Sequence, residues 1–180
     1  MCKWFKEMNC YVLAGEGNNQ KQDFNYIGDI TRLEKSFRNY AAVFENVKLV
    51  IKNEQAKEHY LNYPHICDEA VSYSHVIGVA TALKDAESDA VFIGSSNIAN
   101  FPLELLVNLI KNYNGESFLG YFDKKNESSN CQFLFGIYHK KLSQKIGYNI
   151  NEAVSIDDLV KDNFKLIPLP KGVDASCIGI

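Results

Sequence analysis

Three short apolar runs limit what this chain can fold into: Cys10–Ala14 (CYVLA), Val47–Ile51 (VKLVI) and Ala90–Gly94 (AVFIG). Each is too brief for an ordinary helix and largely lacks a polar alternation, the pattern of a strand covered on both faces. Between them the hydrophobic period switches to that of a helix. Leu33, Phe37, Tyr40/Ala41 and Phe44 recur at helical spacing behind a capping box, Thr31-Arg32-Leu33-Glu34. Thr31 is expected to accept from helix N–H groups and Glu34 to reach back. Ser74 to about Ala86 predicts a second helix with Val76, Ile77, Ala80 and Leu83 inward. Pro102 stands near the start of a third, whose apolar face is Leu103, Leu106, Val107 and Ile110.

The remaining pieces fit the same alternation. EQAKEHYL reads as a short helix, HICDEA holds a brief strand, and SFLGY (Ser117–Tyr121) is another. Cys131–Tyr138 (CQFLFGIY) either pairs with SFLGY as an antiparallel edge or flanks a surface loop over the polar stretch Phe122–Asn130. A last helix covers Ile156–Val160, capped by Ser155 or Asp157, and FKLIPL ends the series as a strand. Repeated strand–helix alternation predicts an α/β fold of three layers, a mostly parallel sheet with helices on both faces. With no internal repeat, linker or low-complexity tract, residues 1–180 are expected to form a single domain.

Composition narrows the function. A net charge of -3, from 19 basic and 22 acidic residues, gives no electrostatic footprint for nucleic acid. The longest apolar stretches are far shorter than a membrane span, so no membrane partner is expected, and a cytoplasmic location follows by default. Five scattered cysteines suggest free thiols in a reducing compartment. The four histidines lack ligand spacing, and no zinc site is expected from them.

In folds of this type ligands gather beyond the carboxyl ends of the strands. The segments to weigh are therefore Gly15–Lys21, the regions after Ile51 and Cys67, and Ser95–Phe101. The first is neither a Walker A loop nor a complete G-x-G-x-x-G. Two readings stay open for it: an ordinary strand-to-helix turn, or an anion loop in which glycines admit a phosphate and Lys21 neutralises it.

Taken in order, the segments resemble the molybdenum cofactor guanylyltransferase family, whose Rossmann-like fold is that of the sugar-nucleotide-type nucleotidyltransferases. Leu13-Ala14-Gly15, then Lys21, then DFNYIG ending at Gly28, are similar to the family's L-A-G-G strand end, its lysine, and the glycine before its first helix. Asn53 falls at the asparagine ending the second strand. Asp68 falls at the aspartate before the G-P-L-x-G-I segment, where Gly78 is retained. Residues 90–110 resemble the family's strand, C-D-x-P loop and P-x-x-L-L helix, and residues 130–142 its P-x-x-x-L-Y-x-x-x-L element. Asp174–Ile180 resembles the approach to its N-x-N-T segment, so the likeness runs over residues 9–180.

The resemblance implies Mg2+-dependent transfer of GMP from GTP to molybdopterin, with release of pyrophosphate. It implies that Leu13, Ala14, Gly15, Gly17 and Lys21 cradle the triphosphate, and that Asn53, Asp68 and Gly78 place the nucleotide, with Asp68 reading guanine or its ribose. Lys21 and Asn97 become the catalytic pair, and Asn97 and Asp68 the metal ligands. The chain also departs from the pattern. Glu16 replaces the second glycine, the loop is short and lacks its arginine, and Ile98-Ala99 replaces the proline. Asn97 replaces the metal-binding aspartate, and a neutral carbonyl is a poorer magnesium ligand than a carboxylate. Asp68, Asp29 or Glu16 would have to supply the missing charge. The second reading is accordingly a weakened or inactive homologue that binds a nucleotide, a cofactor, a protein partner or a second copy of itself.

Overall fold

The computed structural model describes residues 7–15, 20–52, 60–68, 74–124, 131–149, 155–160 and 162–180. In chain order the elements are β1 (Asn9–Leu13), α1 (Gln20–Asp23), β2 (Tyr26–Ile27), β3 (Ile30–Thr31), α2 (Arg32–Ala41), β4 (Val47–Ile51) and β5 (His65–Cys67). Then come α3 (His75–Asp85), β6 (Ala90–Ser95), α4 (Glu104–Asn112), β7 (Phe118–Phe122) and β8 (Phe135–His139). The last elements are α5 (Leu142–Asn149), α6 (Ile156–Val160), β9 (Phe164–Pro168) and a 3-10 turn at Ala175–Ile178.

Among the described residues seven strands make one sheet in the order β5-β4-β1-β6-β8-β7-β9. β5, β4, β1 and β6 pair in parallel, β8 runs against both β6 and β7, and β7 and β9 are parallel. The α/β, mostly parallel architecture expected from the alternation is thus present. The SFLGY and CQFLFGIY segments do pair antiparallel, through Phe118↔Tyr138 and Leu119↔Ile137. They lie inside the sheet, however, because β9 takes the edge. The hairpin β2–β3, turning at Gly28 with φ 68°, has no counterpart in the hydrophobic pattern.

β1 shows why the central strands are apolar on both alternations. Cys10, Val12 and Ala14 join one core with Leu33 and Tyr40 of α2, Leu105, Leu106 and Leu109 of α4, and Ile178. Tyr11 and Leu13 join the other with Val79, Ala82 and Leu83 of α3, Leu142 of α5 and Val160 of α6. Helices therefore cover both faces, and β1 and β6 are shielded from water on each side. Thr31 caps α2 as expected, accepting from the Glu34 N–H at 3.2 Å. The Glu34 carboxylate turns instead to Arg38, 2.5 Å away, so the reciprocal half of the capping box is absent. Ser155 caps α6 through the Asp158 N–H.

Gly136 on β8 marks the tightest place in the sheet. A β-carbon there would stand 2.4 Å from the Phe118 ring and 2.8 Å from the Leu119 carbonyl oxygen. A backbone atom cannot swing away as a side-chain tip can, so Gly136→Ala is expected to lower stability by about 1–3 kcal/mol. Denaturant unfolding checks this, and a wild-type midpoint would contradict it.

Candidate functional site

The parallel strands end together, and their backbone ladder runs on past them. The Ala14 N–H donates to Val50 O at 3.0 Å, the Ser96 N–H to Leu13 O at 3.0 Å, and the Asp68 N–H to Ile51 O at 2.8 Å. Extending the β4–β5 register by one residue sets Asp68 beside Lys52, while Gly15 follows β1 at a φ of 75° and Asn97 sits in the turn after β6, where the Ile98 N–H donates to Ser95 O. A crest of Asp68, Lys52, Gly15 and Asn97 thus crosses β5, β4, β1 and β6. Lys52 and Asp68 are both buried, on neighbouring strand ends.

At the centre of the crest is a carboxylate that the motifs did not single out. Asp23, at the end of α1, is 0% exposed. Its Oδ2 accepts from the Gly15 N–H at 2.9 Å and from the Tyr60 hydroxyl at 2.9 Å. Ser96 stands beside the carboxylate and steadies its charge. Its hydroxyl does not reach Oδ1 in hydrogen-bonding geometry, and Oδ1 has no partner among the described residues. Burial pushes the Asp23 carboxyl above its ordinary value, while Ser96, the Gly15 amide, Tyr60 and, at longer range, Arg32 pull it back. The Tyr60 phenol is pushed up by burial and by the Asp23 charge.

Gly15 is held by the same contact. Its φ is +75°, which disfavours any side chain, and a β-carbon would stand 3.2 Å from the Tyr60 hydroxyl oxygen. The amide that an anion loop would present is therefore already given to an internal carboxylate. The Leu13 carbonyl and the Ala14 N–H are taken as well: Leu13 O accepts from Ser96, the Ala14 N–H donates to Val50, and both side chains are buried in the cores. Gly78 lies in α3, where a β-carbon would meet the Leu13 methyls at 3.1 and 3.2 Å. Close packing against β1 accounts for that glycine.

The loop after β6 is fastened to α2. The Ser36 hydroxyl is shared between the carbonyls of Ser95 and Ile98, each 3.3 Å away, and the Asn39 amide donates to Ala99 O at 2.9 Å. Tyr40 donates to Ser95 O at 3.4 Å, its ring resting on Gly94. Within this loop the Asn97 N–H donates to the Ser95 hydroxyl, and Asn97 Oδ1 is buried with no hydrogen-bond partner among the described residues. Asn97 is thus an oxygen donor held in place. Two strands, β4 and β1, lie between the strand that ends at Asn97's loop and the one that ends at Asp68. Asp29 is exposed in the hairpin turn, and Lys21 contributes its backbone to α1. Glu16, Gly17, Asn53 and the Lys21 side chain lie outside the described residues.

Among the described residues no three His, Cys, Asp or Glu side chains are grouped to hold a metal ion. A hollow of about 430 Å³ opens at the opposite, amino-terminal edge of the sheet, lined by Glu7, Asn9, Asn46, Glu87 and Asp89 among others. It shares no residue with the crest. No described helix is long and apolar enough to cross a membrane.

No family model matches the chain. Its sequence is similar to a protein of Aquifex aeolicus (strain VF5) named as a probable molybdenum cofactor guanylyltransferase, with 28% identity over 151 residues. That match covers 82% of this chain and 72% of the relative. Among solved structures, a protein from Aquifex aeolicus VF5 superimposes with a TM-score of 0.74 at 27% identity, covering 92% of this chain and 89% of that one. The molybdopterin-guanine dinucleotide biosynthesis protein A of Archaeoglobus fulgidus also superimposes with a TM-score of 0.74, covering 89% and 83%, and at 15% identity it shares the fold.

Proposed function

We propose, from the chain's place as a molybdenum cofactor guanylyltransferase-like member of the nucleotidyltransferase superfamily, that its crest binds a guanine nucleotide and transfers GMP from GTP to molybdopterin. The observation that carries this reading is the convergence of Gly15, Lys52, Asp68 and Asn97 on the carboxyl ends of four parallel strands, where folds of this type take their ligands. The buried Asp68 carboxylate suits the ribose or base end of the nucleotide, with Gly78 holding β1 in place from behind. Lys21, in α1, suits the phosphates together with Gly17, and Asn53 the placement of the nucleotide, as the family pattern has them.

Magnesium fits this site only as an ion carried chiefly by phosphate oxygens and water, which is its usual mode. Asn97 Oδ1, buried without a hydrogen-bond partner among the described residues, is the protein oxygen that would join it, and the ion would offset charge on the transferred phosphoryl group. The chain's own part is to orient the nucleotide along the crest and to hold the loop after β6 rigid through Ser36, Asn39 and Tyr40.

Calorimetric titration with GTP, with and without Mg2+ and with ATP and CTP as controls, tests the reading. Guanine-selective, magnesium-dependent binding supports it, and absence of nucleotide binding by the folded protein ends it. Asn97→Asp is expected to tighten magnesium binding in the GTP complex by about 10-fold or more, since a charged oxygen replaces a neutral one; titration of Mg2+ at saturating GTP measures it. The second reading, binding without transfer, is favoured by the neutral Asn97 itself. It predicts nucleotide or cofactor binding with no release of pyrophosphate.

A further inference from the structure

We propose that Arg32, at the first turn of α2, is the phosphate-binding cation of this site, placed where its guanidinium meets an anion over the ends of β1 and β6. The inference rests on the nucleotide reading above and assigns to α2 the charge that the shortened loop after β1 no longer carries.

The placement follows from the helix. Residues four apart share one face, and Ser36, four beyond Arg32, is buried against the Ser95 and Ile98 carbonyls. Arg32 thus leaves α2 on the side turned to the loop after β6, one turn closer to the start of the helix. The residue is half-buried, and its Nε is buried with no hydrogen-bond partner among the described residues. Its guanidinium forms no ion pair with any described residue. Arg38, on the same helix, is by contrast held by Glu34. Arginine is rarely withdrawn from water without a carboxylate or other acceptor to receive it.

The nearby acid does not use these donors up. Arg32 is close enough to Asp23 for its charge to be felt there, yet Asp23 is committed to Gly15 and Tyr60 and bonds neither oxygen to the guanidinium. The buried carboxylate attracts Arg32 toward the crest and leaves its N–H groups open. A planar guanidinium with five donors matches two phosphate oxygens at once, and the positive end of the ten-residue helix α2 adds to it.

The test uses inorganic tripolyphosphate and GTP as separate probes, titrated calorimetrically into the full chain at low and moderate salt. Arg32→Gln is expected to weaken both by about 10- to 100-fold and to flatten the salt dependence, because a charge-assisted phosphate contact is lost. Arg32→Lys is expected to recover part of the loss, since it restores the charge without the fork. Thermal unfolding of each variant separates lost binding from lost fold, and if Arg32→Gln does not fold, Arg32→Lys carries the test with a several-fold loss. Wild-type affinity for tripolyphosphate in a folded variant overturns the proposal, as does a wild-type chain that binds no tripolyphosphate. A role confined to balancing Asp23 would change stability and leave affinity and its salt dependence unmoved, which also overturns it. Tripolyphosphate binding that requires Arg32, without GTP binding, upholds the anion site and ends the nucleotide reading. GTP binding indifferent to Arg32 does the reverse.

Discussion

Replacing Asp23 by alanine is expected to destabilise the protein by about 2–4 kcal/mol, because two buried donors lose their only acceptor. The Gly15 N–H and the Tyr60 hydroxyl both end on Asp23 Oδ2, and neither can turn to water without opening the crest. Asp23→Asn behaves differently, since the amide oxygen can still accept from both while the charge is gone. Burial raises the folded-state carboxyl above its ordinary value of 3.8. The folded protein therefore holds this proton more tightly than the unfolded chain does. The stabilisation from that proton is fully present below the ordinary value and is lost as the pH rises through the raised one. The asparagine variant has no such loss, so its stability relative to wild type should climb across that window and level off above it. Denaturant unfolding over a pH series measures both effects. An alanine variant as stable as wild type, or an asparagine variant tracking wild type at every pH, would sink this account of the crest.

Tyr40→Ala is expected to cost about 3–5 kcal/mol, the range for emptying a large aromatic site in a core. The Tyr40 ring lies 5.7 Å from Phe92, 5.3 Å from Phe101 and 6.5 Å from Phe135, centroid to centroid. A β-carbon on Gly94 would come within 2.5 Å of its hydroxyl oxygen, so ring and glycine fit as a pair. Tyr40→Phe removes only a 3.4 Å bond to Ser95 O, and under about 1 kcal/mol should be lost. The alanine variant should also loosen Ser95–Ala99, because Tyr40 and Ser36 fasten that loop to α2. Amide exchange there should rise in Tyr40→Ala and stay near wild type in Tyr40→Phe. Equal exchange in the two variants would show that the ring does not brace the loop.

The apolar runs at Cys10–Ala14, Val47–Ile51 and Ala90–Gly94 were readable as central strands because burial on both faces removes polar alternation. The caps at Thr31 and Ser155 were readable for a similarly local reason, since an oxygen next to a helix start reaches the exposed N–H groups. The family likeness rode on the order of such local pieces. It also pointed to Asn97 and Asp68 at strand ends, although the sheet sets them at opposite ends of one crest. The hairpin β2–β3 is not legible in the sequence, because two-residue strands leave no period to detect.

Periodicity and capping depend on residues within a turn or two of each other, so the α/β class, the three strands β1, β4 and β6 and the positions of α2, α3 and α4 were determined along the chain itself. The insertion of β8 between β6 and β7 was not, because strand order is settled by which edges close in space. The same holds for the crest. Asp23 meets Tyr60 across 37 residues and Ser36 meets Ser95 across 59, and nothing near Asp23 in the sequence marks it as a buried acceptor. Only the packing of α1, α2 and the strand ends together removes water from that carboxylate, and a carboxylate without water must find its donors wherever the fold has brought them.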